Sequence, residues 1–577
     1  MSVYRLQPLA RALGGVALAV SAVAVDSVDA ALPAISAWQV VVNNGDCMPI
    51  DDPPTLTCRR FNSYNQPSVN ANQVVVIRAR SKGGPGGEQV GAQPIHGVYM
   101  RDMAAAGPVV KILDRNTLVP DPNNLDTVFG ESPSFPRIDI GSDTMATRGN
   151  HQPVWKYTLN DSSEARAGTT GIYTNPFESL ITGASKLGAV PEFSFFQVPE
   201  APGIPFDVFP GAPAVTDGTT IVFKGNYTVA GKAKTGVYYR NMANAPMGGT
   251  NPVVLIANNT DTLIPGTKKS VFGSTAPPSA AVTKIGGKGK PMAVFAGFDD
   301  EEHPTRGGIY LAPLTPFQLH KQPVLIPLVQ IGQRVPGENL MSRFNKLGEG
   351  VSFDGRFVAF WGAWGMETTT LVLQCPEEGN AELIKYCKDQ HPGGYETTVP
   401  VHQGIFVHDL QTRLTWVAAK TPKDFGDFVY WNFSGRTPGT GEGDDDGELA
   451  RWRSVSFMAV SGLVDGSLTD PTFHVAFKAR TGKVATGAND HPVHGIYLST
   501  GPWNCKIGTV VETGMDGTLI DPEAVYTDEE TGQTVALPVS DMGLERDGFR
   551  GDSLAISVSM GNEEAGWAGV YLTKVHK

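Results

Sequence analysis

The sequence predicts an all-β fold, a seven-bladed β-propeller closed by its own N-terminal strand. Three observations carry that expectation. A short glycine, β-branched, aromatic motif recurs along the chain; a strand-like run precedes most copies; and the last copy stops too early to complete its unit.

The motif stands at Gly97-Val98-Tyr99, Gly171-Ile172-Tyr173, Gly236-Val237-Tyr238, Gly308-Ile309-Tyr310, Gly404-Ile405-Phe406, Gly495-Ile496-Tyr497 and Gly569-Val570-Tyr571. Steps of 74, 65, 72, 96, 91 and 74 residues separate the copies, wide for a bare four-stranded blade but reasonable for one with long loops. Ahead of most copies lie Val74-Val75-Val76, Ile221-Val222-Phe223, Ala293-Val294-Phe295, Val358-Ala359-Phe360, Val475-Ala476-Phe477 and Leu554-Ala555-Ile556, short and β-branched as buried strands are. After six of the seven copies comes another strand and a turn at proline, seen at Thr117-Leu118-Val119-Pro120, Thr262-Leu263-Ile264-Pro265, Val335-Pro336-Gly337 and Thr518-Leu519-Ile520-Asp521-Pro522. Only six residues follow Tyr571, so the seventh copy has no room for this outer strand. Trp38-Gln39-Val40-Val41-Val42, followed by a turn to Pro49, has the missing strand-then-proline order and is expected to complete the last blade, removing an exposed sheet edge. The alternative is six blades plus an irregular segment, because Val154-Trp155-Lys156-Tyr157 stands in repeat two where other repeats carry Val-Ala-Phe. Helix is expected at most in Ala381–Tyr386.

The first 30 residues read as a secretory signal, with Arg5 and Arg11 ahead of an apolar run from Ala12 to Val25 and small residues near Ala30. That run is too short to span a bilayer, and no second apolar stretch of spanning length follows. Residues 31–577 are then one exported domain, secreted or periplasmic. Removing residues 1–30 takes away two basic and two acidic residues, so the net charge stays at −12. An acidic chain without basic clusters argues against nucleic-acid partners. Five cysteines suit an oxidising compartment; Cys47 with Cys58, and Cys375 with Cys387, are the economical local disulfides, leaving Cys505.

The repeat resembles bacterial secreted proteins with tandem units of the form Asn-x-x-Gly-x-x-x-Ala-Phe followed by a Gly-Ile-Tyr-type strand. Asp217-Gly218 and Asp354-Gly355 are the clearest remnants of the turn, since the Asn is mostly absent here. The resemblance covers most of the mature chain and implies a propeller and export, but no reaction.

Propeller function sits in loops on one face or at the axis. The loops from the Val-Ala-Phe run to the Gly-Ile-Tyr run should share a face, and they hold His96, His303, His391, His402, His491 and His494. They also hold Glu563, Glu564 and Trp567, and a large insertion at about 362–403 bearing the second proposed disulfide. Asp299, Asp300 and His303 are candidate ligands for a divalent metal, and Asp444 and Asp446, in a run without the full EF-hand pattern, are candidates for calcium. For any single one of these residues the structural reading, a solvated loop or a backbone-bonded imidazole, weighs more. No Gly-x-Ser-x-Gly elbow, Walker loop, His-Glu-x-x-His helix or Cys-x-x-Cys-His site occurs.

Three functions follow in order. The first is a binder of a glycan or an envelope protein, with Trp361, Trp364 and Trp567 as stacking surfaces. The second is a lyase of acidic polysaccharide, using a His and a Tyr with Arg101, Arg240 or Arg306 against the uronate. The third is a metal-dependent hydrolase or oxidoreductase.

Overall fold

A computed structural model describes residues 35–577, apart from 50–57, 83–93, 124–126, 152–154, 159–161, 163, 168–169, 244–248, 286–288, 315–320, 378–379, 436, 439–448, 463–470, 482–492, 503–505, 529–531, 563 and 577. Seven antiparallel sheets follow one another along the chain, each running from an inner strand outward. Blade 3 is the plainest, with Ala214–Thr216, Thr220–Val229, Lys232–Asn241 and Val254–Asn258 in order. Each inner strand touches the inner strands of the blades before and after it, and the one at Phe549–Arg550 touches Ser68–Val69, so the ring closes.

Blade 7 is completed from the other end of the chain. Gln39–Asn43 pairs antiparallel with Gly566–Lys574, placing Gln39 opposite Leu572 and Val40 opposite Tyr571. The expected seven-bladed architecture and its closure are both observed.

The repeated aromatic is buried in every blade: Tyr99, Tyr173, Tyr238, Tyr310, Phe406, Tyr497 and Tyr571 are each at most 3% exposed. The glycine two residues earlier is required by this packing. A Cβ on Gly97 would lie 2.6 Å from the Tyr99 hydroxyl, and on Gly569 it would lie 2.5 Å from that of Tyr571. A phenylalanine outside the repeated motif sets its edge on the same ring, as in Phe61 on Tyr99 at 5.0 Å and Phe129 on Tyr173 at 4.7 Å. Such edge-to-face pairs contribute about 0.5–1.5 kcal/mol beyond the area they bury.

Two expectations are corrected. In blade 2 the second strand is Met145–His151, and Trp155–Thr158 instead forms a side hairpin with Glu164–Ala167, so the six-bladed alternative falls. The insertion of blade 5 is not a loop. Its two central strands run on as Phe357–Leu373 and Tyr395–Asp409, making an arm tipped by the helix Ala381–Gln390, which is longer than the expected turn. Both proposed disulfides are formed, Cys47–Cys58 and Cys375–Cys387. Among the described residues no helix is long and apolar enough to cross a membrane.

Candidate functional site at the propeller axis

The inner strand of a blade starts on the side where the second strand ends. Phe129 lies opposite His151, Ser274 opposite Phe298 and Phe344 opposite Trp364. The second-to-third connections therefore emerge on the face from which the inner strands descend. Partway down, several inner strands bulge away from their neighbours: between Glu131 and Arg137 in blade 2, Thr275 and Ser279 in blade 4, and Gly543 and Phe549 in blade 7. A bulge frees a short segment from the ladder and re-aims its side chains.

In blade 6 this bulge is expanded into a hairpin. Asp427 bridges to Arg480 at the top of the blade, the chain then leaves as Tyr430–Ser434 paired with Arg451–Val455, and it rejoins the sheet at Met458 opposite Phe477. Arg451 forms an ion pair with Glu301 in the acidic loop of blade 4, so the hairpin reaches across to that loop. Its rings pack on the blade 5 arm, with Trp452 stacked on Tyr395 at 6.3 Å and Phe433 beside Tyr386 and His391.

A cavity of about 200 Å³ lies where segments from six blades meet the foot of this hairpin. Pro133, Phe135, Ala212, Pro277, Phe457 and Met458 supply apolar wall. Arg137, Arg148, Arg546 and Glu545 supply charge. Arg137 is 1% exposed and wholly committed: its Nε and Nη2 donate to Glu545 Oε1 at 2.7 and 2.6 Å, and its Nη1 donates to the Pro278 carbonyl at 3.0 Å. Beneath it Asp547 is ion-paired with the buried Arg550. Burial alone would raise the Glu545 carboxyl, but Arg137 and Arg546 hold it below the usual carboxylate range. Burial, with the charge of Arg137 beside it, lowers Arg546 to about 10, so it remains a cation at neutral pH.

The residues singled out in the sequence fall in several places. His494 is in a charged group: its Nε2 lies 3.6 Å from Asp541, which also accepts from Lys478 at 2.9 Å. Lys478 and Arg480 lie over the ring of Tyr430, 4.9 and 4.3 Å from its centre. His96 and His494 hold the same structural position, opposite Arg80 and Arg480 at the start of their strands. His402 stacks on Trp364 and lies 3.4 Å from Glu367, while His391 caps the arm helix. His303 is exposed and its amide donates to Asp300.

Asp299 accepts from Thr305 and from the Arg306 amide, contacts that stabilise its ionised form against the opposing effect of burial and lower its pKa. Among the described residues no group of three His, Cys, Asp or Glu is arranged to hold a metal ion. His491, Glu563, Asp444, Asp446 and Cys505 lie outside the described residues, and Glu564 is exposed.

Two of the three proposed stacking tryptophans are corrected by burial. Trp361 and Trp364 are 8% and 4% exposed, and the half-buried Trp567 donates its Nε1 to Asp521. Arg101 and Arg240 donate to backbone carbonyls of Val41 and Gly183 in neighbouring strands, and Arg306 donates to Ser270. The axial arginines were missed because Arg137 and Glu545 stand 408 residues apart. The available signal was a charged residue within the bulge of an inner strand, a place that a propeller buries.

No protein-family model matches the chain, and no curated protein matches it. Among solved structures it is similar to NanB sialidase from Streptococcus pneumoniae, with 9% identity and a TM-score of 0.27 over 92% of this chain and 71% of that one. It is also similar to fructan 1-exohydrolase IIa from Cichorium intybus, with 10% identity and a TM-score of 0.22 over 94% and 98%. A levansucrase mutant from B. megaterium gives 11% and 0.25 over 63% and 83%. Similarity this low carries no activity or substrate over to the chain.

Proposed function

We propose that this protein is an exported ligand-binding propeller whose site is the axial cavity under the blade 6 hairpin, with a glycan as the ligand. The observation that carries the reading is the convergence of six blades on one cavity that mixes apolar wall with charge, an arrangement typical of small-molecule sites. Its volume is below the about 300–1,000 Å³ of larger ligand pockets, which suits one sugar ring better than an extended chain. Export is supported by the signal-like residues 1–30 and by the two disulfides.

Hydrogen exchange of the mature protein with and without a panel of neutral and acidic oligosaccharides tests the reading. A ligand should slow exchange at 455–458 and 545–546. Protection confined to outer strands, or none with any glycan, would sink it.

A second reading, lyase chemistry on acidic polysaccharide, is favoured by His494, Tyr430, Lys478 and Arg480 lying together behind Phe457, which lines the cavity. In such an elimination the proton α to the carboxylate passes to a base. Its electron pair forms the new double bond, and the β-glycosidic oxygen leaves with a proton from an acid. Appearance of the ultraviolet absorbance of an unsaturated uronate, lost in His494→Ala, would favour it; stable acidic oligosaccharide would discard it.

A further inference from the structure

An open edge of a β-sheet is a template for another strand, and this chain covers several of those it makes. Arg101 donates to the Val40 and Val41 carbonyls on the outer strand of blade 7, at 3.3 and 2.6 Å. Arg240 does the same for Thr182 and Gly183 on the outer strand of blade 2, Gln322 for Ile256 in blade 3, and Ser499 for Ala418 in blade 5. In blade 4 the outer strand Ile326–Gln330 carries Pro327, which blunts it. The blade 5 arm has an edge without such cover. Its strands stay in register down to Trp364 opposite His402; then Gly365, Met366 and Glu367 face the single Val401, and pairing resumes at Thr368 opposite Pro400. Such an expanded bulge bends a ribbon out of its sheet. The inner strand reaches only Phe344 opposite Trp364, and the outer strand only Lys420 opposite Gly404. Among the described residues, Thr368–Leu373 is therefore paired with Tyr395–Pro400 and with no other strand. The Tyr395–Pro400 edge is blunted by Glu396 and Pro400. The opposite edge, Thr-Thr-Thr-Leu-Val-Leu, has no charge, proline or glycine and is rich in strand-forming residues. Leu371 is 8% exposed and anchors one face of the ribbon, whereas Thr370 is exposed and Val372 is 51% exposed on the other.

We propose that Thr368–Leu373 is the pairing edge for a second copy of this chain, the two strands running antiparallel about a two-fold axis through Thr370. That register sets Thr370 opposite its own copy, Thr368 opposite Val372 and Thr369 opposite Leu371, so β-branched residues meet and the exposed Val372 is covered. Charge selects the occupant. Each copy carries a net −12, and this edge lets two such surfaces meet without opposing like charges, because Glu367 falls opposite Leu373 of the other copy. A charged foreign strand would find no counter-charge on it. The pairing is separate from the axial cavity and does not rest on what binds there.

Light scattering of the mature protein across a concentration series tests the assignment. The edge is short of a standard interface, so a reversible dimer that dissociates on dilution is expected. Hydrogen exchange at 368–373 should slow as concentration rises. Thr370→Lys and Thr370→Glu, at an exposed position, should each weaken self-association by about tenfold or more, because like charges then stand opposite one another. An equimolar mixture of the two variants should recover it, since opposite charges then meet across the axis. A monomer at every concentration overturns the proposal, including where a foreign β-strand peptide then binds the edge. A dimer that Thr370→Lys leaves intact, or a mixture that recovers nothing, overturns it as well. If melting shows that the charged variants do not fold, exchange at 368–373 in the parent decides, and rates that ignore concentration reject the proposal.

Discussion

Asp521 holds three parts of blade 7 at once. Its Oδ2 accepts from Asn43 Nδ2, Trp567 Nε1 and the Tyr571 hydroxyl, each at 2.9 Å, and the residue is 1% exposed. Asp521→Ala leaves these donors without their acceptor, and each unsatisfied buried group costs about 1–3 kcal/mol. We expect a loss of about 2–4 kcal/mol in denaturant melts, with the Trp567 fluorescence altered. Asp139 gives a pH signature. Burial, reinforced by Asp217 and opposed by the Ser142 hydroxyl, raises its pKa from 3.8 to about 6. The folded state therefore holds the proton more tightly than the unfolded chain, and stability falls as pH rises through that window, by about 3 kcal/mol at about 1.4 kcal/mol per unit. Asp139→Asn removes this dependence, so its stability relative to the parent should rise by about that amount between about pH 4 and about pH 7. Melts at four pH values across that range check it; a constant offset would refute the assignment. At this scale the sequence was only partly legible. The buried tyrosines declared themselves by repetition, whereas Arg137, Arg148 and Arg546 occur once each and gain meaning only when the ring brings their blades together.

The blade 6 hairpin and the blade 5 arm brace one another through Tyr386, Phe433, Tyr395 and Trp452, next to the Cys375–Cys387 link. Replacing both cysteines by serine should speed hydrogen exchange in the arm helix and in Tyr430–Ser434, and leave blades 1 to 3 unchanged, because the link closes a local loop. Uniform loosening of all blades would show instead that the arm supports the ring. The exposed Arg451–Glu301 pair, by contrast, adds at most about 1 kcal/mol. Elements were legible where composition is β-rich. Val475-Ala476-Phe477 reads as a strand unaided, while Met145-Ala146-Thr147-Arg148-Gly149 does not, since the ring supplies the burial that its composition fails to announce. Inner strands such as Ser68–Val69 and Arg137–Ile138 are two residues long and carry no periodic signal at all. The hairpin was illegible for another reason: it interrupts a strand, and the two halves of that strand look like unrelated segments.

At the level of the whole molecule, period and count of the motif were enough to give seven blades, and the short tail after Tyr571 was enough to give the closure. Residues 39–43 bury Val41 and Val42 completely and cap the last sheet. A chain beginning after Gly45 should therefore aggregate or melt far below the parent by size exclusion and calorimetry, because blade 7 would present an open edge. A soluble, equally stable truncation would refute the structural role of that strand. The same pairing has a temporal side. Synthesis proceeds from the N-terminus, so Gln39–Asn43 is made early, yet its partner Gly566–Lys574 is made late. Six blades can assemble while the first strand waits, and the final hydrogen bonds form only once the whole chain has arrived. A chain cut short anywhere before Gly566 therefore keeps Gln39–Asn43 without its partner, an open strand edge of the kind that drives aggregation.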